Sequence, residues 1–319
     1  MVNIVILCWN ALEWTKHTVI SLMKSLELCS YKYQITIVDN ASTDDTRVYL
    51  STLSAIYNNV VVIENHHNYG ISFGYNQGFM ESVAIGAVYT VFCNNDLHFF
   101  NDGWLDKLVD TMKSDKSLAV VAPLRTSEYD YYSSGLTTKQ KLSSIKECSS
   151  PEEELSEFMG CKPELTFLRD ITNANIAAYG TKLRYIKFPN AISTCICMIR
   201  TKIFKDEFGY FDNPYFLDYG GDDIDMTWRI LSVGYNCAII NTTYIHHFRN
   251  KSLVENALNR DMLLLKSNRK LIKLWGSAIS KFINESGLSD YDLMNNKDYW
   301  IIRDIMRING KEAVLCKQK

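Results

Sequence analysis

The sequence predicts an α/β fold with a mostly parallel central sheet and helices on both faces, and three observations carry that prediction. Continuous apolar runs recur along the first 125 residues, segments with apolar residues at three- and four-residue spacing alternate with them, and polar clusters close the runs at one end. Strands that are apolar throughout are buried on both sides, which requires helices above and below. Right-handed crossovers then bring the strand carboxyl ends to one edge, where open α/β sheets bind ligands.

The elements follow in order. NIVILCW (3–9) is the first strand, and Asn10 is placed to cap the helix-like ALEWTKHTVISLMKSLE behind it. YQITIVDN (33–40) is the second strand, followed by the helix-like STDDTRVYLSTLSAI with Ser42 or Thr43 as its cap. NVVVIEN (59–65) precedes a glycine-bearing loop and the helix-like YNQGFMESVAIG. VYTVFC (88–93), WLDKLVDTMKS and LAVVAP supply a further strand, helix and strand. Residues 126–190 are polar, Ser-rich and charged before turning aromatic, as an insertion, a lid or an acceptor-side segment would be. Regular pattern resumes with AISTCICMIRTKIF (191–204), CAIINTTYIHHF ends a strand, and from about 252 the pattern is helical.

Composition narrows the class. At 47% apolar and 22% charged, with 19 Tyr and 14 Phe, the 319-residue chain has the material for a large core. A formal charge of −2 gives no overall attraction to nucleic acid, and no apolar run is long enough to span a bilayer. The expectation is a cytoplasmic protein, compatible with peripheral attachment to a membrane. The nine cysteines are scattered through apolar segments and read as reduced thiols. Cys195 and Cys197 should share one strand face, without the further ligands a zinc site needs.

Candidate chemistry sits where the strands end. Asp39 follows ITIV at the ligand edge, where a carboxylate can accept hydrogen bonds from a ribose or a base; DNASTDDT is equally a good turn and helix start. In NYGISFGYNQG, Asn68, Gly70 and Asn76 offer close backbone approach and amide donors to a nucleotide or its sugar. Phosphate-loop and nicotinamide-binding glycine motifs are both absent. Asn94, Asn95 and Asp96 close the fourth strand. Asp96 is a natural ligand for a hard divalent cation bridging diphosphate oxygens, while the two amides can bond sugar hydroxyls or order an Asx turn. YGGDDIDMTWR (219–229) places Asp222, Asp223 and Asp225 behind two glycines, more acids than a cap needs, and their repulsion suits a general base. His246 and His247 end the last strand; one of them can face the cation, since neighbours on a strand point to opposite sides.

In this order, IVILCWN, IVDNASTDDT, NYGISFGYNQG, FCNND, GYFDNPYF, GGDDIDMTWR, YIHHF and KLWG resemble the inverting nucleotide-sugar glycosyltransferases of family two, which have the GT-A fold. The resemblance covers about residues 3–125 and 190–276, and its Asn94-Asn95-Asp96 variant is similar to rhamnosyltransferase-like members. It implies a GT-A domain over 1–251, with a nucleotide-sugar half (1–125), the unmatched 126–190 segment and an acceptor and base half (191–251), then a helical extension over 252–319. It implies that Asp39 with Cys8, Trp9 and Asn10 holds the nucleoside, that Asp96 closes the metal motif, and that Asp223 is the base. Asp222 stands where the family often has Glu, so either acid of the pair can face the acceptor. A late histidine, His246 or His247, would lie near the diphosphate. The implied cofactor is Mg²⁺ or Mn²⁺, the donor a UDP- or dTDP-type sugar, and the acceptor a saccharide or lipid-linked saccharide. A sugar nucleotidyltransferase would want a basic Gly-rich loop after the first strand, which CWNALEW lacks. A degenerate, glycan-binding domain would not need Asp96 and GGDDID intact.

Overall fold

The computed structural model describes residues 1–125, 148–160, 162–208, 219–249, 251–252, 256–296 and 299–309. Its strands are β1 (Val2–Cys8), β2 (Tyr33–Asp39), β3 (Val60–Glu64), β4 (Tyr89–Asn94), β5 (Leu97–Phe99), β6 (Leu118–Arg125), β7 (Leu183–Tyr185), β8 (Ile196–Arg200) and β9 (Asn236–His247). They form one sheet in the order β3-β2-β1-β4-β8-β6-β9-β5, with β7 also paired to β9. Strands β1 to β4, β6 and β9 run one way; β5, β7 and β8 run against them. The mostly parallel sheet expected from the apolar runs is present.

Helices α1 (Leu12–Ser25), α2 (Thr46–Ile56), α3 (Ile71–Ala84) and α4 (Trp104–Ser114) are the crossovers of the first half. One core layer joins Val2, Ile4, Ile6, Ile35 and Ile37 to α1, α2 and α4, and the opposite layer joins Val5, Val38 and Phe92 to Tyr75 and Phe79 of α3. Alternate residues of one strand thus feed different layers, as the period of two requires. Helix α3 begins four residues ahead of the YNQG start expected for it. Gly74 and Gly78 lie on its inner face, where an added Cβ would fall 2.3 Å from Leu7 and 2.1 Å from Val5. The glycine spacing therefore lets a helix lie close on β1; only Gly70, at φ 84°, serves the turn before it.

Two expected caps are used elsewhere. Asn10 is left-handed at φ 54°, and the first turn of α1 takes its side-chain acceptor from Asp44, whose carboxylate receives the Leu12 amide at 3.2 Å. Helix α2 starts after Asp45, while Ser42 turns back onto Asp39. The described part of the polar segment carries α5 (Pro151–Met159) and α6 (Glu164–Tyr179); residues 126–147 lie outside the described residues. A short helical turn, Thr201–Ile203, runs into a π-helical one, Phe204–Phe208. Helix α7 (Asp222–Ser232) precedes β9, and α8 (Arg260–Ser286), α9 (Asp290–Asn295) and α10 (Trp300–Asn309) close the chain. Leu271 and Ile279 of α8 pack with Trp228 of α7 and Ile301, Ile302 and Ile305 of α10. Seven cysteines fall among the described residues and all are free thiols. Cys195 and Cys197 join different core layers, because Cys195 stands ahead of β8, where the alternation has not begun. No described helix is long and apolar enough to cross a membrane.

Candidate active site

The carboxyl ends of β1 and β2 are paired residue for residue, setting Cys8 opposite Asp39. Asp39 is fully buried. Its carboxylate accepts the Ser42 amide at 3.2 Å, the Ser42 hydroxyl, and the Arg47 guanidinium at 2.8 Å. The turn role and the ligand-edge position thus coincide in one residue. Asn10 lies beside it: its amide donates to the Ser42 hydroxyl at 2.7 Å, and its side-chain oxygen accepts the Thr43 amide at 2.7 Å. Asn10, Ala11 and Ala41, at φ 54°, 62° and 68°, hold left-handed backbone that side chains disfavour. Such strain survives only where surrounding bonds impose it, and it gathers at functional sites. Trp9 is partly exposed at this edge.

Asn68, Gly70 and Asn76 stand on the neighbouring loop and helix. The Asn68 side chain accepts from Asn40 at 2.8 Å and from the Gly70 amide at 2.9 Å, and the Asn40 amide also reaches the Gly70 carbonyl at 3.2 Å. Asn40 is therefore the organiser of this loop. It stands in the strand end IVDN, where a residue following an acid carries no local signal of this role. Asn76 is partly buried on α3.

Asn94, Asn95 and Asp96 occupy the point where the chain leaves β4 for β5, which pairs antiparallel with the end of β9 and sets Leu97 against His247. That crossing explains the cluster. The Asn95 amide donates to Thr15 at 2.8 Å and to the Asn10 carbonyl at 3.3 Å, and its oxygen accepts from Ser252 at 3.2 Å. Asp96 is buried, with Oδ1 3.1 Å from His247 Nε2 and Oδ2 3.4 Å from the Lys251 amide. Oδ1 has no partner in hydrogen-bond geometry. Burial alone would lower the His247 pKa, but the Asp96 carboxylate and the Cys195 sulfur hold it up at about 10. The two histidines part company. His246 faces the other side of β9, where it meets Tyr244 at 3.1 Å and Glu154 at 3.4 Å, away from Asp96.

Gly220 and Gly221, at φ 74° and 88°, turn the chain into α7. Asp222 is buried and accepts the Thr194 hydroxyl at 3.0 Å; burial and the neighbouring Asp223 raise its pKa to about 7. Asp223 is partly exposed and accepts the Ile224 amide at 2.8 Å. Burial raises its pKa also, and the Arg125 guanidinium opposes the rise. Asp225 points away, bonded to Arg229 at 2.8 Å and to the Trp275 indole at 2.9 Å. These bonds tie α8 to α7. Tyr75 joins the halves: its hydroxyl meets Asn94 at 2.9 Å and the Thr194 carbonyl at 3.1 Å.

A chain of contacts therefore runs from Asp39 through Ser42, Asn10, Asn95 and Asp96 to His247 and Asn94, then through Tyr75 and Thr194 to Asp222 and Asp223. Tyr75, Arg125 and Thr194 take their roles from partners distant in the chain, and Arg47 takes its role from the fold of the loop back onto Asp39, so local pattern marks none of them.

A mainly parallel sheet with helices on both faces and a run of polar and carboxylate side chains along its strand ends defines an α/β protein of the open-sheet kind, in which such ends are the usual ligand edge. The sequence matches the family model for glycosyl transferase family 2 over residues 3–206, and the chain belongs to that family. Direct comparison with curated proteins gives no match. Among solved structures, the fold is similar to the mannosyltransferase PcManGT from Pyrobaculum calidifontis in complex with GDP-Man and Mn²⁺. The TM-score is 0.56 at 12% identity, over 98% of this chain and 74% of that one. TarS 1–349 of S. aureus aligns with a TM-score of 0.52 at 12% identity, over 98% of this chain and 82% of that one. GalNAc-T7 with UDP, GalNAc and Mn²⁺ aligns with a TM-score of 0.54 at 14% identity, over 99% of this chain and 56% of that one. The fold is GT-A, and the protein is a glycosyltransferase of this type.

Proposed function

We propose that the protein transfers a sugar from a UDP- or dTDP-type nucleotide sugar to a hydroxyl of a saccharide or lipid-linked saccharide, with inversion, and that Asp223 is the general base. The contact chain from Asp39 to Asp223 is the observation that supports this most, since one rim can then hold both substrates. Of the acidic pair, Asp223 suits the base. It is the partly exposed member, and Arg125 favours its charged form. Buried Asp222 is the member that retains a proton near neutrality, which relieves repulsion and leaves Asp223 ionised. As the acceptor oxygen attacks the anomeric carbon, Asp223 takes its proton.

The residues fit a divalent cation. Asp96 presents a buried oxygen without a hydrogen-bond partner, and His247 stands 3.1 Å from it. Among the described residues no group of three or more ligating side chains surrounds them, so Mg²⁺ or Mn²⁺ would need further ligands beyond these two side chains. Asp96 and His247 would hold it, the imidazole giving up the proton that Asp96 otherwise stabilises on it, and it would offset charge on the leaving nucleoside diphosphate. PcManGT and GalNAc-T7 were solved with Mn²⁺ and nucleotides, which favours the same assignment here. Cys8, Trp9, Asn10 and Asp39 form the wall for the nucleoside, with Asp39 acting mainly by fixing the loop through Ser42 and Arg47. Asn68, Gly70, Asn76, Asn94 and Asn95 line or brace the neighbouring part.

The test is Asp223→Asn. Donor binding should persist while transfer falls by about 10²- to 10⁴-fold, the usual worth of a positioned base. A folded variant that binds donor and turns over like wild type would remove Asp223 from this role.

A further inference from the structure

We propose that the outward face of α8 is a docking surface for an anionic lipid bilayer. Between residues 262 and 281 this helix carries Lys266, Arg269, Lys270, Lys273 and Lys281 and no acid, in a chain whose formal charge is −2. At 3.6 residues per turn these five side chains fall within roughly 120° of the circumference, along about 22 Å of axis. Lys266, Arg269, Lys273 and Lys281 are exposed, the last 3.9 Å from Glu285 one turn on, and Lys270 is partly exposed. The opposite face is committed to the protein: Leu271 and Ile279 are fully buried, and the Trp275 indole donates to Asp225. The basic stripe is thus held in place by the same helix that braces the Asp222–Asp223 turn, where Leu264 also lies against Gly220.

Charge alone would suit nucleic acid as well. The apolar residues decide for lipid. Met262, one turn ahead of Lys266 and within the same arc, is 63% exposed, and Leu274 at the margin of the stripe and Leu258 just ahead of the helix are 41% and 42% exposed. Phosphate backbones have no use for such side chains, whereas a bilayer takes the apolar groups among its headgroups while the lysines and arginine meet anionic lipid. This surface is separate from the residues proposed for sugar transfer. Under that reading it would bring the base-bearing turn toward a membrane carrying an acceptor.

The experiment is co-sedimentation of the full chain with phosphatidylcholine vesicles, with and without phosphatidylglycerol, at low and high salt, beside a short DNA duplex as competitor. Binding should need the anionic lipid and weaken as salt screens it. Arg269→Glu with Lys273→Glu should weaken it by about tenfold or more, since each cation near such a surface contributes appreciably. Met262→Ser with Leu274→Ser should weaken it at unchanged charge. Retained melting temperature and donor binding in both variants separate this result from misfolding or loss of the catalytic site. Equal binding to neutral vesicles, no effect of the charge reversals, or stronger binding to the duplex than to anionic vesicles would overturn the proposal.

Discussion

Asp222 and Asp223 differ by one position and by their surroundings. The buried acid has a raised pKa, about 7, so the folded state keeps a proton that the unfolded chain releases near 4. Its stability contribution is therefore full at pH below about 4 and is lost as pH rises toward 7. Asp222→Asn, which still accepts from Thr194, should melt higher than wild type at pH 8, and the gap should close as pH approaches 4. A gap independent of pH would show that Asp222 is already ionised in the fold. Acids at strand ends and behind paired glycines draw notice to Asp39, Asp96 and the Asp222–Asp223 pair in the sequence, although the same pattern suits a turn and Asp39 serves one. Tyr75 was not legible. An aromatic residue inside a helix reads as core, and only the folded chain reveals its hydroxyl between Asn94 and Thr194.

Among the elements, α3 shows how a motif can be seen and its cause misjudged. Its glycines looked like a ligand-facing loop, whereas two of them admit β1 to the helix. Gly78→Ala would press a methyl group onto the β-branched Val5, and overpacking of this kind costs about 1–3 kcal/mol, set against the roughly 1 kcal/mol that alanine gains over glycine in a helix. Chemical denaturation should register that loss, and an unchanged midpoint would mean that the contact yields freely. The helix α5 segment, which matched no motif, supplies a second case. Its Glu152 and Glu154 reach His17 at 3.0 Å and His246 at 3.4 Å, and His17 meets His98 at 2.8 Å. Burial lowers the pKa of all three histidines, that of His98 to about 3 with His17 and His246 adding to the effect. The unfolded chain takes up protons near 6.5 that the fold resists, so stability should fall as pH drops below that value. His98→Gln should shallow the fall by up to about 1.4 kcal/mol per pH unit, one proton's share. An acid limb as steep as wild type's would place the proton uptake elsewhere. Strands were readable from continuous apolar runs; the caps were not, because Asp44 and Ser42 serve groups across the loop.

At the scale of the whole molecule, the strand ends were expected along one edge, yet the path linking them was not readable. It depends on β5 leaving β4 for the end of β9, a pairing of residues about 150 apart in the chain that sets Asp96 beside His247. It depends also on Tyr75 and Thr194 spanning from Asn94 to Asp222. Local pattern carries no record of such distant pairings, although the order of motifs along the chain did carry the family. The most direct measurement is anomalous scattering from crystals grown with Mn²⁺ and UDP, with dTDP as a second nucleotide. A manganese peak is expected at coordination distance from Asp96 and His247, roughly 2.0–2.6 Å, with the diphosphate on the side facing Asp223. A peak away from Asp96, or a nucleotide bound to a face that Asp223 does not share, would contradict this placement.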